Sequence, residues 1–468
     1  MAVLPSPPDG FELSTDVIVV GAGACGLCAA LAARDGGAEV IVLERDPTPL
    51  GTTAMSTGLI PAAGTPEQSA RGIVDTPDLL AADILAKAKD ETDAGVVGRL
   101  AAESAETVAW LKGTHGAPLT LLDGFTYPGH SVMRMMGTPN RTGSELIAAL
   151  QAAAEAAGAM IVTDARATDL FADPDGSVGG VAYVRPDGTR ETLGCAALVL
   201  ATCGFAGDRA MVERWIPEIA DGAFHGHPGA TGDAVRWGEE LGAALADMTG
   251  YQGHGGLAAG HAIPILWPSI TEGGIQVNLA GRRFSNEATG YSEQAARILA
   301  QPGKVAWTIL DGRIEAVMAQ FDDWQDAVRA GAVLRAYSVD DLAAATGLPG
   351  DALADTLAEV AALTVSRRPC PFGRLFAERP PLAAPFLAAR VTGALFHTQG
   401  GLVVDHDARV LRADGRAFPN LFAGGGAARG VSGPGASGYL AGNGLLTATT
   451  LGKLAGRAAA RQIAGRQP

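Results

Sequence analysis

The stretch DVIVVGAGACGLCAALAARDGGAEVIVLERD, residues 16–46, decides the fold of this chain. Its opening residues, 16–20, are apolar and β-branched, which predicts a buried parallel strand. Three glycines follow at the spacing G-x-G-x-x-G: Gly21, Gly23 and Gly26. A helical pattern begins at Ala24, so the stretch predicts a strand, a tight turn and a helix in succession.

Each glycine of this loop has a separate physical task. Gly21 permits the tight turn, Gly23 lets the backbone approach a pyrophosphate, and Gly26 allows the helix to pack closely on the strand. The helix N-terminus offers free N–H groups and a positive dipole end to phosphates. A second strand, predicted over residues 39–43, leads to Glu44, a carboxylate placed to accept hydrogen bonds from ribose hydroxyls. These features together predict a dinucleotide site.

Composition narrows the class of protein. The chain has 468 residues, 47% of them hydrophobic, which is enough for two or more domains. A net charge of −15 disfavours nucleic acid or an anionic membrane as a partner. No apolar run is long enough to span a bilayer, and the Pro-rich start lacks the order of a signal peptide, so a cytoplasmic enzyme is expected.

The cysteines and histidines do not form a metal pattern. Five cysteines at these spacings indicate no disulfide framework, and no Cys/His grouping has the spacing of a zinc site. The formal C-x-x-C of Cys25 and Cys28 overlaps the glycine loop, where small residues are needed for packing. We therefore predict no metal.

The organisation of the chain predicts an α/β nucleotide-binding domain in two pieces, residues 1–248 and 392–468, with a second domain, residues 249–391, inserted between them. A β-hairpin is predicted from residues 178–183 and 190–193, because a Pro-Asp-Gly turn separates them. Further elements are predicted as a buried strand over 196–201 and helices within 78–115, 142–157, 339–346, 350–364 and 442–464.

Six further motifs, in order along the chain, carry a resemblance to a known family. They are STG at 56–58, LATCGF at 200–205, GRRFSNE at 281–287, HTQGGLVVD at 397–405, NLFAGGGAARG at 420–430 and GYLAGNGLL at 438–446. With the glycine loop, they resemble the flavoprotein family of fumarate reductases, succinate dehydrogenases and 3-ketosteroid dehydrogenases. The resemblance implies a Rossmann-type FAD-binding domain, a parallel sheet plus a β-meander, with an inserted α+β capping domain for the substrate.

The resemblance also implies the residues that hold the cofactor. Membrane-bound members attach flavin to a histidine in the N-terminal loop, and residues 51–58 contain none, so non-covalent FAD is expected. In the family, the last glycine-rich segment points N–H groups at the flavin pyrimidine edge, where reduced flavin is negative. The implied residues are Gly21, Gly23, Ala24, Gly26, Glu44, Arg45, Thr52, Thr53, Ser56, Thr57, Gly58, Ala201, Thr202, Gly204, Gly425, Gly442, Asn443, Gly444 and Leu445.

Four positions of the family's substrate pocket indicate the reaction. Tyr291 stands where fumarate reductases have a proton-donating arginine, and Tyr439 where they have an arginine that clamps a substrate carboxylate. His397 and His254 correspond to the two pocket histidines. Two arginine-to-tyrosine changes remove the charges that a buried dicarboxylate needs, and tyrosines suit a ketone on an alicyclic ring instead. In these positions the chain is closest to the ketosteroid dehydrogenase branch.

The predicted activity is therefore FAD-dependent α,β-dehydrogenation of a cyclic ketone, either a 3-ketosteroid or a cyclohexanone-type ring. Tyr291 is the candidate base, and His254 or Arg283 is the candidate group that stabilises its phenolate. Flavin N5 takes the hydride, and Tyr439 and His397 hold the carbonyl. Val431 replaces the tyrosine that polarises the keto group in Δ1-ketosteroid dehydrogenases, which disfavours that substrate.

Two alternatives remain open from the sequence. One is a flavin-dependent reductase of an activated C=C bond, like fumarate and urocanate reductases, and the other is a non-catalytic flavin electron carrier. Tyr127 and His130, in TYPGHS, are weaker pocket candidates. The electron acceptor is open between a quinone, a carrier protein and oxygen.

Overall fold

The computed structural model describes residues 2–122, 124 and 126–465. The chain divides into two compact units. The first unit comprises residues 1–216, 226–251 and 397–468, and the second comprises 217–225 and 252–396. The segment 217–225 thus belongs to the second unit, which the sequence had not indicated.

The first unit is built on a parallel sheet. The strands Ser14–Val20 and Val40–Leu43 pair in parallel, and the sheet continues through Met160–Val162 on one side. On the other side it continues through Arg190–Leu200 and Ala417–Ala423, also in parallel. The central strands are buried over their carboxyl-terminal halves, as expected for a parallel sheet covered by helices on its faces, whereas the edge strand Met160–Val162 is partly exposed.

A single long strand joins this sheet to a β-meander. The first half of Arg190–Leu200 pairs antiparallel with Val178–Val184, which pairs antiparallel with Arg166–Ala172. The second half pairs in parallel with Ser14–Val20. The predicted hairpin is confirmed, but the buried strand predicted separately over 196–201 is the continuation of the hairpin strand, because the backbone stays extended through Cys195.

Two helices pack closely against each other over the sheet. The glycine-loop helix, Ala24–Asp35, contacts the terminal helix, Asn443–Ala464. A Cβ on Gly452 would lie 2.3 Å from the carbonyl oxygen of Cys25, and one on Gly456 would lie 2.1 Å from that of Ala29. Glycine is therefore required at both positions by the approach of the two backbones.

The remaining elements of the first unit are short strands and surface helices. Its other helices are Gly51–Ala54, Pro66–Ala70, Pro77–Lys87, Ala94–Gly113, Gly143–Ala156, Arg209–Trp215 and Asp233–Leu241. Its other strands are Ala2–Leu4, Ile60–Pro61, Thr120–Leu121, Met135–Gly137, Leu245–Ala246, Gly401–Leu402 and Arg409–Leu411.

The second unit combines a mostly antiparallel sheet with helices. Its central strand, Phe386–Thr398, pairs antiparallel with Val305–Asp311 and Val333–Ala336, and its last two residues already belong to the first unit. The sheet also contains Ala223–Phe224, Tyr251–Ala258 and Ile275–Val277. The helices are Pro268–Thr271, Tyr291–Leu299, Gly312–Met318, Asp322–Arg329, Val339–Thr346 and Gly350–Ser366.

Candidate functional site

The glycine loop has the shape that a pyrophosphate requires. Gly21 has φ +103°, and a Cβ there would lie 2.5 Å from the carbonyl oxygen of Ala201. A Cβ on Gly26 would lie 1.8 Å from the carbonyl oxygen of Gly21. At Gly23, by contrast, the nearest atom to an added Cβ is the hydroxyl of Thr53, at 3.6 Å. The outer glycines are thus demanded by backbone packing, while the middle one leaves space at the helix N-terminus for a ligand.

Glu44 is joined directly to this loop. Its carboxylate accepts hydrogen bonds from the backbone N–H groups of Ala22 at 2.8 Å and Asp46 at 3.0 Å. The side chain is buried, with 7% exposure. A carboxylate has about four lone-pair positions, so two remain for the ribose hydroxyls that the sequence assigned to it.

The small-residue segment after the second strand, residues 51–58, is partly helical. It begins as the short helix Gly51–Ala54 and closes when the hydroxyl of Ser56 donates to the carbonyl of Thr53 at 2.7 Å. The Thr53 hydroxyl accepts from the N–H of Ala24 at 3.1 Å. The hydrogen bond of Thr53 therefore fixes the segment to the glycine-loop helix.

Two predicted cofactor residues carry buried polar atoms without a partner. Among the described residues, the Thr202 hydroxyl and the Asn443 side-chain oxygen make no hydrogen bond. Buried polar atoms are normally paired, so these two fit a bound polar group such as FAD. Asn443 begins the terminal helix directly after Gly442, whose φ is +85°. These residues, with the glycine loop and Glu44, would hold FAD.

His397 and Tyr439 lie together beside the start of the terminal helix. Their rings are 5.5 Å apart at 78°. A Cβ on Gly444 would lie 3.0 Å from the His397 ring and 3.6 Å from the Tyr439 hydroxyl. Burial lowers the pKa of His397 to about 4 and raises the pKa of Tyr439 above its usual value. Both groups are therefore neutral at pH 7, and each can donate a hydrogen bond.

In the second unit, His254 and Tyr291 lie within a group of aromatic rings. The His254 ring stacks on Phe396 at 4.9 Å with an interplanar angle of 10°. Tyr291 lies 5.2 Å from His254 and 6.0 Å from Trp267, measured between ring centroids. Burial, with a smaller effect of His225, lowers the pKa of His254 to about 3, so this imidazole is neutral. We call His254, Trp267, Tyr291 and Phe396 the aromatic group.

The structure removes Arg283 as a free cation for Tyr291. Its guanidinium donates to both carboxylate oxygens of Glu287, at 2.9 and 2.6 Å, and Arg374 binds the same carboxylate at 3.1 Å. His254 is uncharged for the reason given above. Of the two groups that the sequence suggested for stabilising a phenolate, Arg283 is thus engaged by Glu287, whereas a neutral N–H of His254 can still donate a hydrogen bond. That either group stabilises Tyr291 stays a prediction.

His130 contacts the segment before Gly442 and also belongs to a buried ion network. Its Nε2 lies 2.9 Å from the carbonyl oxygen of Ala441, and its Nδ1 lies 3.3 Å from a guanidinium nitrogen of Arg134. Arg134 binds Asp75 with two hydrogen bonds of 3.0 Å and Asp83 with one of 2.5 Å. Through Asp83, the network ties the segment before Gly442 to the helix Pro77–Lys87. His130 therefore has a structural task here, whereas its place in a substrate pocket stays a prediction.

Sequence reasoning missed several residues around these groups. Trp267 and Phe396 carried no motif, although Phe396 directly precedes His397 in the sequence. Gln399 lies in the HTQGG motif two residues after His397, but the strand that carries His397 ends at Thr398, so no strand periodicity pointed to it. Among the described residues, no group of three or more His, Cys, Asp or Glu side chains could hold a metal ion. Within the same residues, no helix has the length and apolarity needed to cross a membrane.

Comparisons with known proteins support a flavin site. Residues 16–445 match the family model described as an FAD binding domain. A fumarate reductase (cytochrome) from Shewanella frigidimarina is 31% identical over 462 residues, covering 98% of this chain and 79% of the relative. A urocanate reductase from Eggerthella lenta is 25% identical, covering 90% of this chain and 71% of the relative.

Solved structures share the fold. The open conformation of a flavocytochrome c3 fumarate reductase matches with a TM-score of 0.81 and 29% identity, covering 97% of this chain and 79% of that one. A 3-ketosteroid-Δ4-(5α)-dehydrogenase from Rhodococcus jostii RHA1 matches with a TM-score of 0.78 and 24% identity, covering 98% of this chain and 100% of that one. The second likeness concerns the fold alone.

Proposed function

The chain belongs to the FAD-binding domain family, and from that premise we propose that it is an FAD-dependent dehydrogenase that introduces an α,β double bond into a cyclic ketone. The observation that carries the proposal is the aromatic group around Tyr291, which offers flat apolar faces to a ring. A dicarboxylate would instead require fixed positive charges, and the charge of Arg283 is compensated by Glu287.

The tyrosines divide into a donor and a base. Burial raises the pKa of Tyr439, so its hydroxyl keeps its proton and can donate to the substrate carbonyl. His397 is neutral and offers a second donor. Two hydrogen bonds to the carbonyl oxygen stabilise the negative charge that develops when the α C–H is deprotonated. The role of base is thereby left to Tyr291, which begins the helix Tyr291–Leu299, close to the positive end of its dipole.

The proposed reaction breaks two C–H bonds of the ketone, at the α and β carbons. The α C–H bond breaks and its proton passes to the oxygen of Tyr291, which acts as the phenolate and becomes the neutral phenol. The β C–H bond breaks and its hydrogen leaves with both electrons of that bond. Bound FAD supplies the acceptor for that hydride.

Anaerobic mixing of the yellow protein with saturated cyclic ketones, from cyclohexanones to 3-ketosteroids, tests this proposal. Loss of the oxidised-flavin absorbance with one ketone is the expected result. Tyr291→Phe is expected to slow that loss by about 10²–10⁴-fold with FAD still bound. Tyr337→Phe is the matched control. It removes the same hydroxyl from a tyrosine of the same unit that is 72% exposed. Equal rates in both variants would refute the assignment of the base.

A second candidate is reduction of an activated C=C bond, and the relatives support it. Those named above are a fumarate reductase and a urocanate reductase. In this case Tyr291 would deliver a proton rather than remove one. Chemically reduced protein mixed with fumarate, urocanate and a cyclic enone separates the two candidates. Prompt reoxidation by a carboxylate substrate, with no bleaching by any ketone, would favour the reductase.

A further inference from the structure

His397 has two hydrogen-bonding neighbours that demand opposite protonation of the same atom. Its Nδ1 lies 2.9 Å from the side-chain nitrogen of Gln399 and 3.2 Å from the carbonyl oxygen of Thr398. An amide nitrogen can only donate, so the first contact requires an unprotonated Nδ1. A carbonyl can only accept, so the second requires Nδ1–H. Which neighbour prevails decides the tautomer, and with it whether Nε2 donates or accepts.

A chain of buried side chains fixes the direction in which Gln399 points. The Ser432 hydroxyl donates to the side-chain oxygen of Gln399 at 2.7 Å, and the side-chain nitrogen of Asn443 donates to the Ser432 oxygen at 3.1 Å. Gln399, Ser432 and Asn443 are all buried. Turning the Gln399 amide over would leave the Ser432 hydroxyl hydrogen without this acceptor, and an unpaired buried donor is costly. The amide nitrogen therefore faces His397.

We propose that Asn443, Ser432 and Gln399 form a directional hydrogen-bond chain that holds His397 as the Nε2–H tautomer, which makes Gln399 a positioning residue. The chain runs from Asn443 to Ser432 to Gln399 to Nδ1 of His397, each group donating to the next. The proton of the neutral imidazole is then on Nε2, beside Gly444. Among the described residues Nε2 makes no hydrogen bond, so its N–H is available to a ligand.

This assignment gives His397 one chemical role and excludes another. A neutral Nε2–H donates a hydrogen bond to an oxygen, but it cannot accept a proton at that nitrogen. His397 therefore acts as a donor and not as a general base. Donation to a ketone oxygen rests on the proposed function, whereas the tautomer itself does not depend on what the substrate is.

Removing the Gln399 amide should reverse the tautomer. In Gln399→Leu, Nδ1 loses its donor and keeps the Thr398 carbonyl at 3.2 Å, so the proton moves to Nδ1. Nε2 then presents a lone pair in place of N–H. Ser432→Ala weakens the same preference less directly, because it frees the Gln399 amide to turn over and present its oxygen to Nδ1.

Nitrogen-15 NMR of the full FAD-bound chain, labelled at histidine, measures the tautomer without any substrate. The signals of His397 are identified by their loss in His397→Gln. At pH 7 the native protein should show Nε2–H in more than tenfold excess, and Gln399→Leu should show Nδ1–H in excess. Gln151→Leu is the control, since its amide donates to Glu155 on a helix surface of the same unit.

The outcomes decide the proposal without reference to turnover. An Nδ1–H tautomer or an imidazolium in the native protein would overturn it, as would an unchanged tautomer in Gln399→Leu. Should Gln399→Leu fail to fold or to hold FAD, Ser432→Ala decides, with a measurable gain of Nδ1–H expected and no gain refuting the chain. A negative result with every ketone would leave this NMR result intact, so the two proposals fail separately.

Discussion

Glu287 is the perturbation with the largest expected effect, because two buried arginines depend on it. Its carboxylate accepts two hydrogen bonds from Arg283, one from Arg374 and one from the backbone N–H of Gln276. Both guanidinium groups stack on Phe376, at 4.8 and 4.3 Å from the ring centroid. Glu287→Gln keeps the shape of the side chain but leaves two positive charges without their counter-charge.

The size of the effect follows from burial. The side chains of Glu287, Arg283 and Arg374 are 1%, 6% and 5% exposed, so water cannot replace the lost charge. Removing one partner of a buried ion pair costs about 3–5 kcal/mol. For a unit of this size, each kcal/mol lowers the midpoint of thermal unfolding by about 2–4 °C, which predicts a decrease of roughly 6–20 °C.

Thermal unfolding of Glu287→Gln followed by calorimetry tests this prediction, with Glu272→Gln as the matched control. Glu272 binds Arg379 at 3.0 Å on the surface, and loss of such a pair costs about 0–1 kcal/mol. Burial alone would raise the pKa of Glu287, but hydrogen bonding to Arg283 and the charges of both arginines bring it below its usual value. The stabilisation should therefore be present at neutral pH and be lost as the pH falls below about 4. Equal midpoints for the two variants at pH 7 would refute the reasoning.

Three further results are expected. Gly26→Ala should abolish FAD retention, because its Cβ meets a carbonyl oxygen at 1.8 Å, and the purified protein should then lack flavin absorbance. Gly98→Ala is the control, since its Cβ has open space around it and should leave the flavin absorbance unchanged. Asp83→Asn should lower the free energy of unfolding in urea by about 1–3 kcal/mol, since Arg134 loses one of its two carboxylates; no change would show that the pair is dispensable. His254 has a pKa of about 3 when folded and about 6.5 when unfolded, so the free energy of unfolding should fall with decreasing pH across that interval, by up to about 1.4 kcal/mol per pH unit. His254→Gln should make this dependence on pH shallower when the free energy is measured by urea unfolding.

The sequence predicted the cofactor half of this molecule well because its signals are local. The glycine spacing, the apolar strand before it and Glu44 after the next strand all lie within one βαβ unit. The strand Arg190–Leu200 shows where such local reasoning stops. Its two halves have different partners and different patterns, so they were predicted as two strands, although the backbone is continuous.

The candidate site depends on pairings between distant residues, which no local pattern encodes. Ser432 lies 33 residues from Gln399, and Arg134 lies 59 residues from Asp75. A serine and a glutamine have no periodicity that marks them as partners. The pairing of Arg283 with Glu287 spans only four residues, but Arg374, which binds the same carboxylate, is 87 residues from Glu287 and carried no signal in the sequence.

The close packing of the first and last helices has a consequence for how the protein is made. The glycine loop leaves the ribosome early, but Gly452 and Gly456, which meet the helix behind that loop, are translated roughly 430 residues later. At about 5–20 residues of synthesis per second, the terminal helix is made on the order of 20–90 s after the glycine loop. During that interval the apolar face of Ala24–Asp35 lacks the terminal helix. Flavin capture should thus be a late event of biosynthesis, and nascent chains should be a target for chaperones until the terminal helix emerges.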